Sequence, residues 1–374
     1  MTSAAASLRI AFDPAGINDL KSRLHHTRLP VPHRPDIPGP KPSRLREFCQ
    51  WWATEFRWER SQNRINQIRH LTVRTEHCTL HFTLRAETSQ RVPILLLHGW
   101  LSSFLEFERI APLLALDRPV LTASLPGHGL STRPARLWTT RDTAGALVEA
   151  LTVLGYPSVI AHGTDFGSAV ATWMALDAPE HVRGLHLSNL ELSPSPADSD
   201  LLTDTEADYL AAADQWWKHE SGYKTIQSTR PGALSPALMD SPAGLAAWVL
   251  DRWDRWTDPA LGVDAFDRVG RTPLAELLTF MWMTGSIETS ILDYLDNAAA
   301  GSTRLPPASR IRVPTAIAHS PRLGTYLERP PDVWAKRMYN LVDTVDLPKG
   351  GHFAALEVPD LLAAHIRQFA NGLD

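Results

Sequence analysis

The sequence predicts an α/β protein built on a mostly parallel, doubly wound sheet, with a helical insertion and a helical extension at the N-terminus. Short apolar segments recur from about residue 92 to 319, and helical stretches separate most of them. Such alternation is typical of parallel β-α units with helices on both faces of the sheet. The alternation stops between about 197 and 300, where the pattern is helical and rich in tryptophan. An insertion of that size is expected to form a cap.

The composition limits the class of protein and its compartment. Apolar residues make up 44% of the 374 residues, which is enough for a sizeable core. The net charge is -4 and charges of both signs are interspersed, so a basic surface for nucleic acid is not expected. Cys49 and Cys78 are the only cysteines, which favours a reducing compartment. Without a long apolar run or a signal-peptide pattern, we expect a cytoplasmic protein with no membrane span.

The first seventy residues are predicted to form an extension that wraps the core (1–70). Residues 9–28 have apolar side chains at helical spacing and predict one amphipathic helix. Residues 29–43 are rich in proline, which disfavours both helix and sheet, so they predict an extended strap. A second helix is predicted after the strap. Its apolar side is formed by Leu45, Phe48, Trp51, Trp52 and Phe56.

The remaining elements predict a sheet interrupted by the cap. From Leu71 the sequence LTVRTEHCTLHFTLRAE alternates polar and apolar residues, which predicts a hairpin at a sheet edge. The apolar strands that follow are predicted at 92–98, 119–125, 158–162, 184–188 and 313–319. We therefore divide the core into 71–196 and 301–374, with the cap at 197–300. Active sites of such sheets lie at the carboxyl ends of the strands.

The sharpest signal is the sequence HGTDFG at residues 162–167, between an apolar strand and a helical run. Gly163 and Gly167 flank Asp165, as small residues flank the nucleophile of the α/β-hydrolase fold on its sharp strand-to-helix turn. The usual nucleophile there is serine. An aspartate at this position predicts attack on a saturated carbon and an alkyl-enzyme ester. The alternative is that Asp165 merely caps the helix that follows.

Two further segments complete the predicted catalytic machinery. His352 follows two glycines in KGGHFAALE near the end of the chain, where this fold places its histidine after the nucleophile. We expect it to activate the water that cleaves the ester. The sequence HGW at 98–100 follows the first apolar strand. The backbone N–H groups of Trp100 and Phe166 are therefore predicted to form the oxyanion hole.

Taken together, these segments resemble the epoxide hydrolases that carry an N-terminal extension, namely the microsomal type and its soluble bacterial and fungal relatives. The resemblance covers nearly the whole chain. The matching stretches are WWATEFRWERSQNRIN, HGWLSSFLEF, SLPGHGLS, HGTDFG, IQSTRPGALSPALMDSPAGLAAW and GGHFAALEVP. The resemblance implies the α/β-hydrolase fold and a two-step hydrolysis through Asp165. It also implies two acids in the cap, normally tyrosines, which donate hydrogen bonds to the leaving oxygen.

The resemblance matches each of the two cap acids to a position in this chain, and one of these positions does not hold a tyrosine. The second cap tyrosine matches Tyr294 in SILDYLDN, which we take as the principal acid. The first falls after GLAAW, where this chain has Trp253. An indole N–H donates a hydrogen bond but is a far weaker acid than a phenol. Trp253 is therefore expected either to steady the leaving oxygen or to form part of the pocket wall.

The carboxylate that supports the catalytic histidine is the least determined part of the site. In the family it follows the strand that this chain writes as VPTAIAHS, and the nearest carboxylate here is Glu328. Glu191, after the preceding strand, is an alternative that could reach the same imidazole, and a site without either remains open. Loss of such an acid costs about 10⁴ in turnover in an analogous triad.

The chain has 13 tryptophans, and the cap is rich in them. We expect an apolar pocket wall that includes Trp216, Trp217, Trp248 and Trp253, and hence an apolar epoxide and water as the binding partners. The histidines and cysteines lack metal-ligand spacing, and neither a dinucleotide fingerprint nor a P-loop occurs. We therefore predict no metal and no cofactor. We consider a homodimer as the assembly of the protein.

Three alternatives to hydrolysis of an epoxide remain open. The same scaffold could open an epoxide intramolecularly, as a cyclase in a biosynthetic pathway. A dehalogenase that releases halide is a weaker alternative, because such an enzyme is expected to have a tryptophan beside its nucleophile and this chain has Phe166 there. A binding protein without turnover is the third alternative. Retention of Asp165, Tyr294 and His352 together argues against it, since binding alone needs none of them.

Overall fold

The protein is described from a computed structural model, which covers residues 5–31, 34, 36–193, 202–321 and 329–374. Within these ranges the backbone forms one nine-stranded sheet in the order β1-β2-β3-β5-β4-β6-β7-β8-β9. The strands are β1 (Ala5–Leu8), β2 (Arg69–Arg74), β3 (Thr79–Arg85), β4 (Ile94–Leu97), β5 (Val120–Ala123), β6 (Val159–Gly163), β7 (Val182–Leu187), β8 (Ile311–His319) and β9 (Tyr339–Asp346). The predicted α/β class and doubly wound sheet are confirmed.

Helices occupy most of the remaining described chain. The core and extension helices are α1 (Pro14–His25), α2 (Pro42–Thr54), α3 (Trp58–Ile65), α4 (Ala111–Leu114), α5 (Thr140–Val153) and α6 (Phe166–Asp177), followed after the insertion by α15 (Asp332–Met338), α16 (Ala354–Glu357) and α17 (Pro359–Asn371). The insertion contains α7 (Asp204–Glu220), α8 (Gly222–Thr229), α9 (Pro231–Asp240), α10 (Pro242–Trp256), α11 (Ala265–Arg268), α12 (Arg271–Thr284), α13 (Ser286–Ser290) and α14 (Leu292–Ala300). None of the described helices has both the length and the hydropathy that crossing a membrane requires.

The strand order places two loops side by side at the centre of the sheet. Strands β4 to β9 run parallel to one another, whereas β5 is antiparallel to its other neighbour, β3. β6 pairs with β4, whose other neighbour is β5. The chain therefore leaves β4 for one side of the sheet and returns on the other. The carboxyl ends of β4 and β6 form the switch point at which open α/β sheets bind ligands. The loop with Trp100 follows β4, and Asp165 follows β6.

All five predicted apolar strands and the predicted hairpin are confirmed. Of the other two strands, β9 was expected only as a short strand before the His352 loop, without bounds, and β1 was missed. β1 pairs antiparallel with β2, so the hairpin of β2 and β3 is not the outermost pair of the sheet. The sequence AASL is too short, and its side chains are too small, to show the alternation of polar and apolar residues that is typical of a strand. Pairing β1 onto β2 covers an edge whose backbone groups would otherwise be open.

The N-terminal helix is confirmed but shorter than predicted. α1 begins at Pro14, because Asp13 accepts a hydrogen bond from the Ala15 N–H at 2.9 Å and ends the extended chain before it. The described residues between 29 and 41 form neither helix nor strand, as expected for the strap. In α2, the Trp52 indole N–H donates to Thr279 Oγ1 of α12 at 2.9 Å. The extension is thus bonded directly to a helix of the insertion.

The described part of the insertion, residues 202–300, consists of helices joined by short turns and contains no strand. Behind the sheet, α6 is buried on nearly all sides, which agrees with its run of small and apolar residues, SAVATWMAL. The domain boundaries at 70, 196 and 300 stay predictions.

Candidate active site

Asp165 stands at the apex of a strained turn between β6 and α6. Its backbone has φ 51° and ψ -133°, a conformation that residues other than glycine rarely adopt. The turn is possible because its neighbours lack side chains. A Cβ on Gly163 would overlap the Gly167 carbonyl, and one on Gly167 would overlap the Leu97 carbonyl. Both flanking glycines are therefore required by close backbone approach.

Two backbone N–H groups hold one oxygen of the Asp165 carboxylate. Asp165 Oδ1 accepts from the Trp100 N–H at 2.9 Å and from the Phe166 N–H at 2.7 Å. These are the two N–H groups that the sequence assigned to the oxyanion hole. Gly99 allows the approach, because a Cβ there would overlap Asp165 Oδ1. The second oxygen, Oδ2, is left facing the cavity side of the turn.

His352 lies against this second oxygen. Its Nε2 is 3.5 Å from Asp165 Oδ2. Burial lowers the pKa of His352, while the charge of Asp165 raises it, and the net direction is downward. The imidazole is thus favoured in the neutral form that a general base requires.

The loop that carries His352 is fixed by backbone hydrogen bonds. The His352 N–H donates to the Trp256 carbonyl at 2.8 Å, and the Gly350 N–H donates to Asp258 Oδ2 at 2.9 Å. Glu357 accepts from the Gly351 and Phe353 N–H groups, each at 3.1 Å. The two glycines are needed here as well, since Gly350 has φ 106°. The backbone of the loop is therefore held by hydrogen bonds at His352 itself and at the residues before and after it.

Two tyrosines of the insertion close over the carboxylate. Tyr294 on α14 packs edge-on against Phe166, with ring centroids 4.9 Å apart. Tyr223 on α8 stacks on Trp100, and the two phenol hydroxyls are hydrogen-bonded to each other. Tyr294 was predicted, but Tyr223 was missed. Burial, with the charge of Asp165 adding to it, raises the pKa of both phenols, so they remain protonated donors.

Trp253 does not occupy the position that the resemblance gave it. Its ring stacks on Phe353 with centroids 3.6 Å apart, it is 1% exposed, and its N–H points to the Leu101 carbonyl at 3.4 Å. It borders a separate small cavity behind the oxyanion loop. Tyr223, from the different helix α8, lies beside Tyr294 in the main cavity, whose lining does not include Trp253. Both expected roles of Trp253, donor to the leaving oxygen and part of the pocket wall, are therefore corrected.

The carboxylate, the histidine and both tyrosines open into one cavity of about 300 Å³. Trp216 and Trp217 line it, as predicted, and so does Trp256, which was not singled out. Trp248 does not line the cavity, and its N–H donates to Gln227 Oε1 of α8 at 3.1 Å. The complete lining is Asp165, Asn189, Leu190, Glu191, Ser193, Tyr209, Trp216, Trp217, Tyr223, Lys224, Trp256, Tyr294, Thr303, Arg304, Pro330 and His352.

The support for the histidine remains a prediction. Glu328 lies outside the described residues, so its place relative to His352 is not described. Glu191 lines the cavity, but among the described groups the charge that acts on the pKa of His352 is that of Asp165. Glu191 instead bonds to Asn189, whose Oδ1 accepts the Asp165 N–H at 2.7 Å. Asn189 was not anticipated, and it braces the strained turn.

The arrangement suits nucleophilic attack by a carboxylate followed by hydrolysis. It combines a buried carboxylate that lines the cavity, two N–H donors to one of its oxygens, a neighbouring imidazole and two phenols. Within the described ranges, no three His, Cys, Asp or Glu side chains are grouped as metal ligands.

Comparison with known proteins identifies the family of the chain. A family model described as epoxide hydrolase N terminus matches residues 5–107, and one described as alpha/beta hydrolase fold matches residues 92–221. Epoxide hydrolase 1 of Oryctolagus cuniculus is 31% identical over 395 residues, which cover 94% of this chain and 86% of that protein. Epoxide hydrolase 1 of Sus scrofa is also 31% identical, with coverage of 96% and 87%.

Solved structures extend the likeness to the whole fold. The crystal structure of juvenile hormone epoxide hydrolase from the silkworm Bombyx mori superposes with a TM-score of 0.88 at 25% identity. The match covers 100% of this chain and 95% of the silkworm chain. The chain therefore belongs to the epoxide hydrolases of the α/β-hydrolase fold, which are hydrolases that act on the ether bond of epoxides.

Proposed function

We propose that this enzyme converts an apolar epoxide to a vicinal diol through a covalent ester on Asp165. One observation carries the proposal. The two oxygens of Asp165 are held differently, with Oδ1 bound by two N–H groups and Oδ2 free to attack at 3.5 Å from His352 Nε2. A carboxylate that merely capped a helix would not need a second N–H from another loop.

In the first step, Oδ2 attacks a ring carbon from the side opposite the ring oxygen. The carbon–oxygen bond of the ring breaks, and the released oxygen meets the hydroxyl groups of Tyr223 and Tyr294. Both phenols are protonated, and their donors are in place before the charge develops, so little reorganisation is required. The stacking of Trp100 on Tyr223 helps to hold them there.

In the second step, His352 takes a proton from water, and the resulting hydroxide attacks the ester carbon of Asp165. Negative charge then develops on Oδ1, which already accepts from the Trp100 and Phe166 N–H groups. The oxyanion hole is thus matched to the hydrolysis step. Because burial lowers the pKa of His352, the base is neutral when it is needed.

The cavity supports an apolar substrate of moderate size. Its volume is about 300 Å³, and the indole rings of Trp216, Trp217 and Trp256 form part of its wall. Such a volume is at the lower end for small-molecule sites, which bury most of their ligand's surface. We take aryl and short alkyl epoxides as the first substrates to test.

The test is intact-protein mass spectrometry after exposure to a panel of these epoxides. His352→Gln is expected to gain the mass of one substrate, because the ester forms but is not hydrolysed. Asp165→Asn should gain nothing, and the wild type should turn over without accumulating adduct. His219→Gln changes an exposed histidine and serves as the matched control. Epoxide consumption without any adduct in His352→Gln would sink the covalent mechanism and favour intramolecular opening by acid-base chemistry.

A further inference from the structure

We propose that Trp253 is a positioning residue for the second step of the reaction: it holds the loop of Trp100 and the loop of His352 in place relative to each other. The inference rests on the proposed function, in which the ester of Asp165 is hydrolysed. It gives a purpose to a buried tryptophan that does not line the catalytic cavity and yet contacts both of these loops.

The first contact of Trp253 is with the loop whose N–H donates to the nucleophile. The indole N–H of Trp253 donates to the Leu101 carbonyl at 3.4 Å, and the two residues are 1% and 0% exposed. The hydrogen bond is long, but its removal would take a donor away from a carbonyl in the interior of the protein. Trp253 thus holds the backbone one residue beyond Trp100.

The backbone of Leu101 needs such support because its conformation is strained. Leu101 has φ 64°, in the left-handed region that favours glycine. It is the third residue of a turn in which the Ser102 N–H donates to the Gly99 carbonyl at 3.3 Å. Trp100, whose N–H donates to Asp165 Oδ1, is the second residue of the same turn. If Leu101 relaxed to a negative φ, the turn would open and the Trp100 N–H would move with it.

The second contact of Trp253 is with the loop that carries His352. Its ring stacks on the ring of Phe353, with centroids 3.6 Å apart and planes 2° apart. Phe353 in turn packs edge-on against the imidazole of His352, with centroids 4.9 Å apart. The His352 N–H also donates to the carbonyl of Trp256, which ends the same helix, α10. The last turn of α10 therefore contacts both loops.

Hydrolysis of the ester uses both loops at once. As water adds to the ester carbon of Asp165, negative charge develops on Oδ1, and the Trp100 N–H stabilises that charge. The base that takes the proton of the water is His352, on the other loop. A shift of one loop against the other should therefore slow this step, because both groups must be in place in one transition state.

Ester formation depends less on the two loops. The carboxylate loses its charge in this step, so weaker hydrogen bonds to its Oδ1 do not raise the barrier. His352 takes no proton here. The phenols of Tyr223 and Tyr294 assist this step, and they pack on the Trp100 ring and on each other. Trp253 should therefore affect hydrolysis far more than ester formation, a separation that a side chain with only a packing role would not produce.

The test measures the two rates separately in Trp253→Phe, which removes the indole N–H and keeps an aromatic ring. The probe is styrene oxide, or the first epoxide of the panel that alkylates His352→Gln. Ester formation is followed by rapid quench in the His352→Gln background. Ester hydrolysis is followed by intact mass in the Trp253→Phe single variant after the epoxide is diluted out.

The expected result is an ester that accumulates. Hydrolysis should slow about tenfold in Trp253→Phe, which is part of the hundredfold or more that loss of an oxyanion donor costs. Ester formation should change by less than about threefold. Phe353→Leu, which removes the stacking partner and keeps the indole, should show the same separation of the two rates. It provides the answer if Trp253→Phe does not fold.

Trp52→Phe is the matched control for the loss of a buried indole N–H. Trp52 is also 1% exposed, and its N–H donates to Thr279 Oγ1 at 2.9 Å, where α2 meets α12. The variant should lower the melting temperature at least as much as Trp253→Phe does, because the lost hydrogen bond is shorter. Both rates should equal those of the protein with Trp52.

A double-mutant cycle tests whether Trp253 acts through the strained turn. Leu101→Gly removes the strain, because glycine adopts a positive φ without steric cost. Trp253→Phe should therefore slow hydrolysis about tenfold with Leu101 present and less than about threefold in Leu101→Gly. An equal effect in the two backgrounds would overturn the proposal, because Trp253 would then act on one loop only.

Two further results would overturn the proposal. One is hydrolysis at the wild-type rate in Trp253→Phe, and the other is equal slowing of both steps, which indicates a general loss of structure. If His352→Gln forms no ester with any epoxide of the panel, Asp165 is not the nucleophile. That result refutes the proposed function itself and is distinct from the failures of Trp253.

Discussion

The indole of Trp100 lies parallel to the phenol ring of Tyr223, with ring centroids 5.2 Å apart and planes 3° apart. The residue whose N–H donates to Asp165 Oδ1 thus also packs against a phenol of the insertion. Tyr294 packs edge-on against the same indole at 5.1 Å. One side chain therefore aligns the oxyanion hole with both phenols, and misplacing its loop should affect both steps of the reaction.

Gly99→Ala should nearly abolish turnover while leaving the protein folded. A Cβ at this position overlaps Asp165 Oδ1, so the carboxylate must leave its two N–H donors. A displacement of about 1 Å at a reacting atom can cost roughly a hundredfold in rate. Steady-state kinetics and a thermal melt of the purified variant measure the two effects separately.

Gly145→Ala is the matched control, because a Cβ there meets nothing within 4 Å and the residue lies inside α5. Its activity should equal the wild type, and its stability should rise by roughly 0.5–1 kcal/mol. Wild-type turnover in Gly99→Ala would contradict the close contact between residue 99 and the Asp165 carboxylate.

Tyr223→Phe should slow ester formation by roughly a hundredfold, the cost of one lost donor to a developing oxyanion. Trp253→Phe should change the same rate by less than about threefold, because its ring stacks on Phe353 outside the catalytic cavity. The rate is read from the formation of the ester in the His352→Gln background by rapid quench. A large effect of Trp253→Phe with a small effect of Tyr223→Phe would restore the assignment made from the sequence.

The protein should lose stability steeply in mild acid. Burial above all lowers the pKa of His81, His98, His128 and His162 to about 3. Unfolded, each would bind a proton below about pH 6.5; folded, only below about pH 3. Their contribution is complete above pH 6.5 and declines as the pH falls, by about 1.4 kcal/mol per pH unit for each histidine. Burial raises the pKa of several carboxyl groups, which acts in the opposite direction: Glu106 and Glu191 to about 8, Glu357 to about 7 and Asp293 to about 6, with Glu108 and Asp254 also raised. Burial also lowers the pKa of His70, His186, His319, His352 and His365, so the histidines that favour the folded state at neutral pH outnumber these carboxyl groups.

Urea unfolding at a series of pH values measures this slope. His128→Gln should reduce the dependence of the unfolding free energy on pH by the contribution of one histidine. His26→Gln, at an exposed position, should leave it unchanged. A stability that stays flat from neutral pH down to about 5 would mean that these histidines are charged in the folded protein or screened by water.

Asn66→Ala should loosen the N-terminal extension. The Asn66 amide accepts the Ile10 N–H at 2.8 Å and donates to the Ile10 carbonyl at 2.7 Å, next to β1. Removing it leaves two backbone groups unpaired, at a cost of about 1–3 kcal/mol in the free energy of unfolding. Asn340→Ala, which loses one exposed bond to the Arg312 carbonyl, should cost less than about 0.5 kcal/mol. Equal losses in the two variants would show that β1 contributes little.

The parts of the fold that the sequence predicts are those encoded locally. The strands are continuous apolar runs. The turn that carries Asp165 is recognisable in the sequence because close backbone approach requires glycine at 163 and 167. His352 was recognised for a similar reason, since its loop needs Gly350 at positive φ. β1 escaped prediction because a strand of four small residues is specified by its partner β2 and not by its own pattern.

The cap residues depend on how helices cross the sheet, which no local pattern encodes. Trp253 follows the right stretch of sequence, yet α10 turns it onto Phe353. Tyr223 reaches the site because α8 lies above Trp100, and nothing in its own neighbours distinguishes it from the other tyrosines. A signal did exist, because Tyr223 lies three residues before the stretch IQSTRPGALSP that carries part of the family resemblance.

In the proposed mechanism, the unequal hydrogen bonding of the two Asp165 oxygens determines where each oxygen atom of the product originates. Oδ2 departs with the diol, and the oxygen of the attacking water takes its place, because Oδ1 stays between the Trp100 and Phe166 N–H groups. In water labelled with heavy oxygen, the first diol from each enzyme molecule would thus be unlabelled, and every later one would carry a single label. Each later product would contain an oxygen atom from the water of the previous turnover, stored for one cycle in the side chain of Asp165.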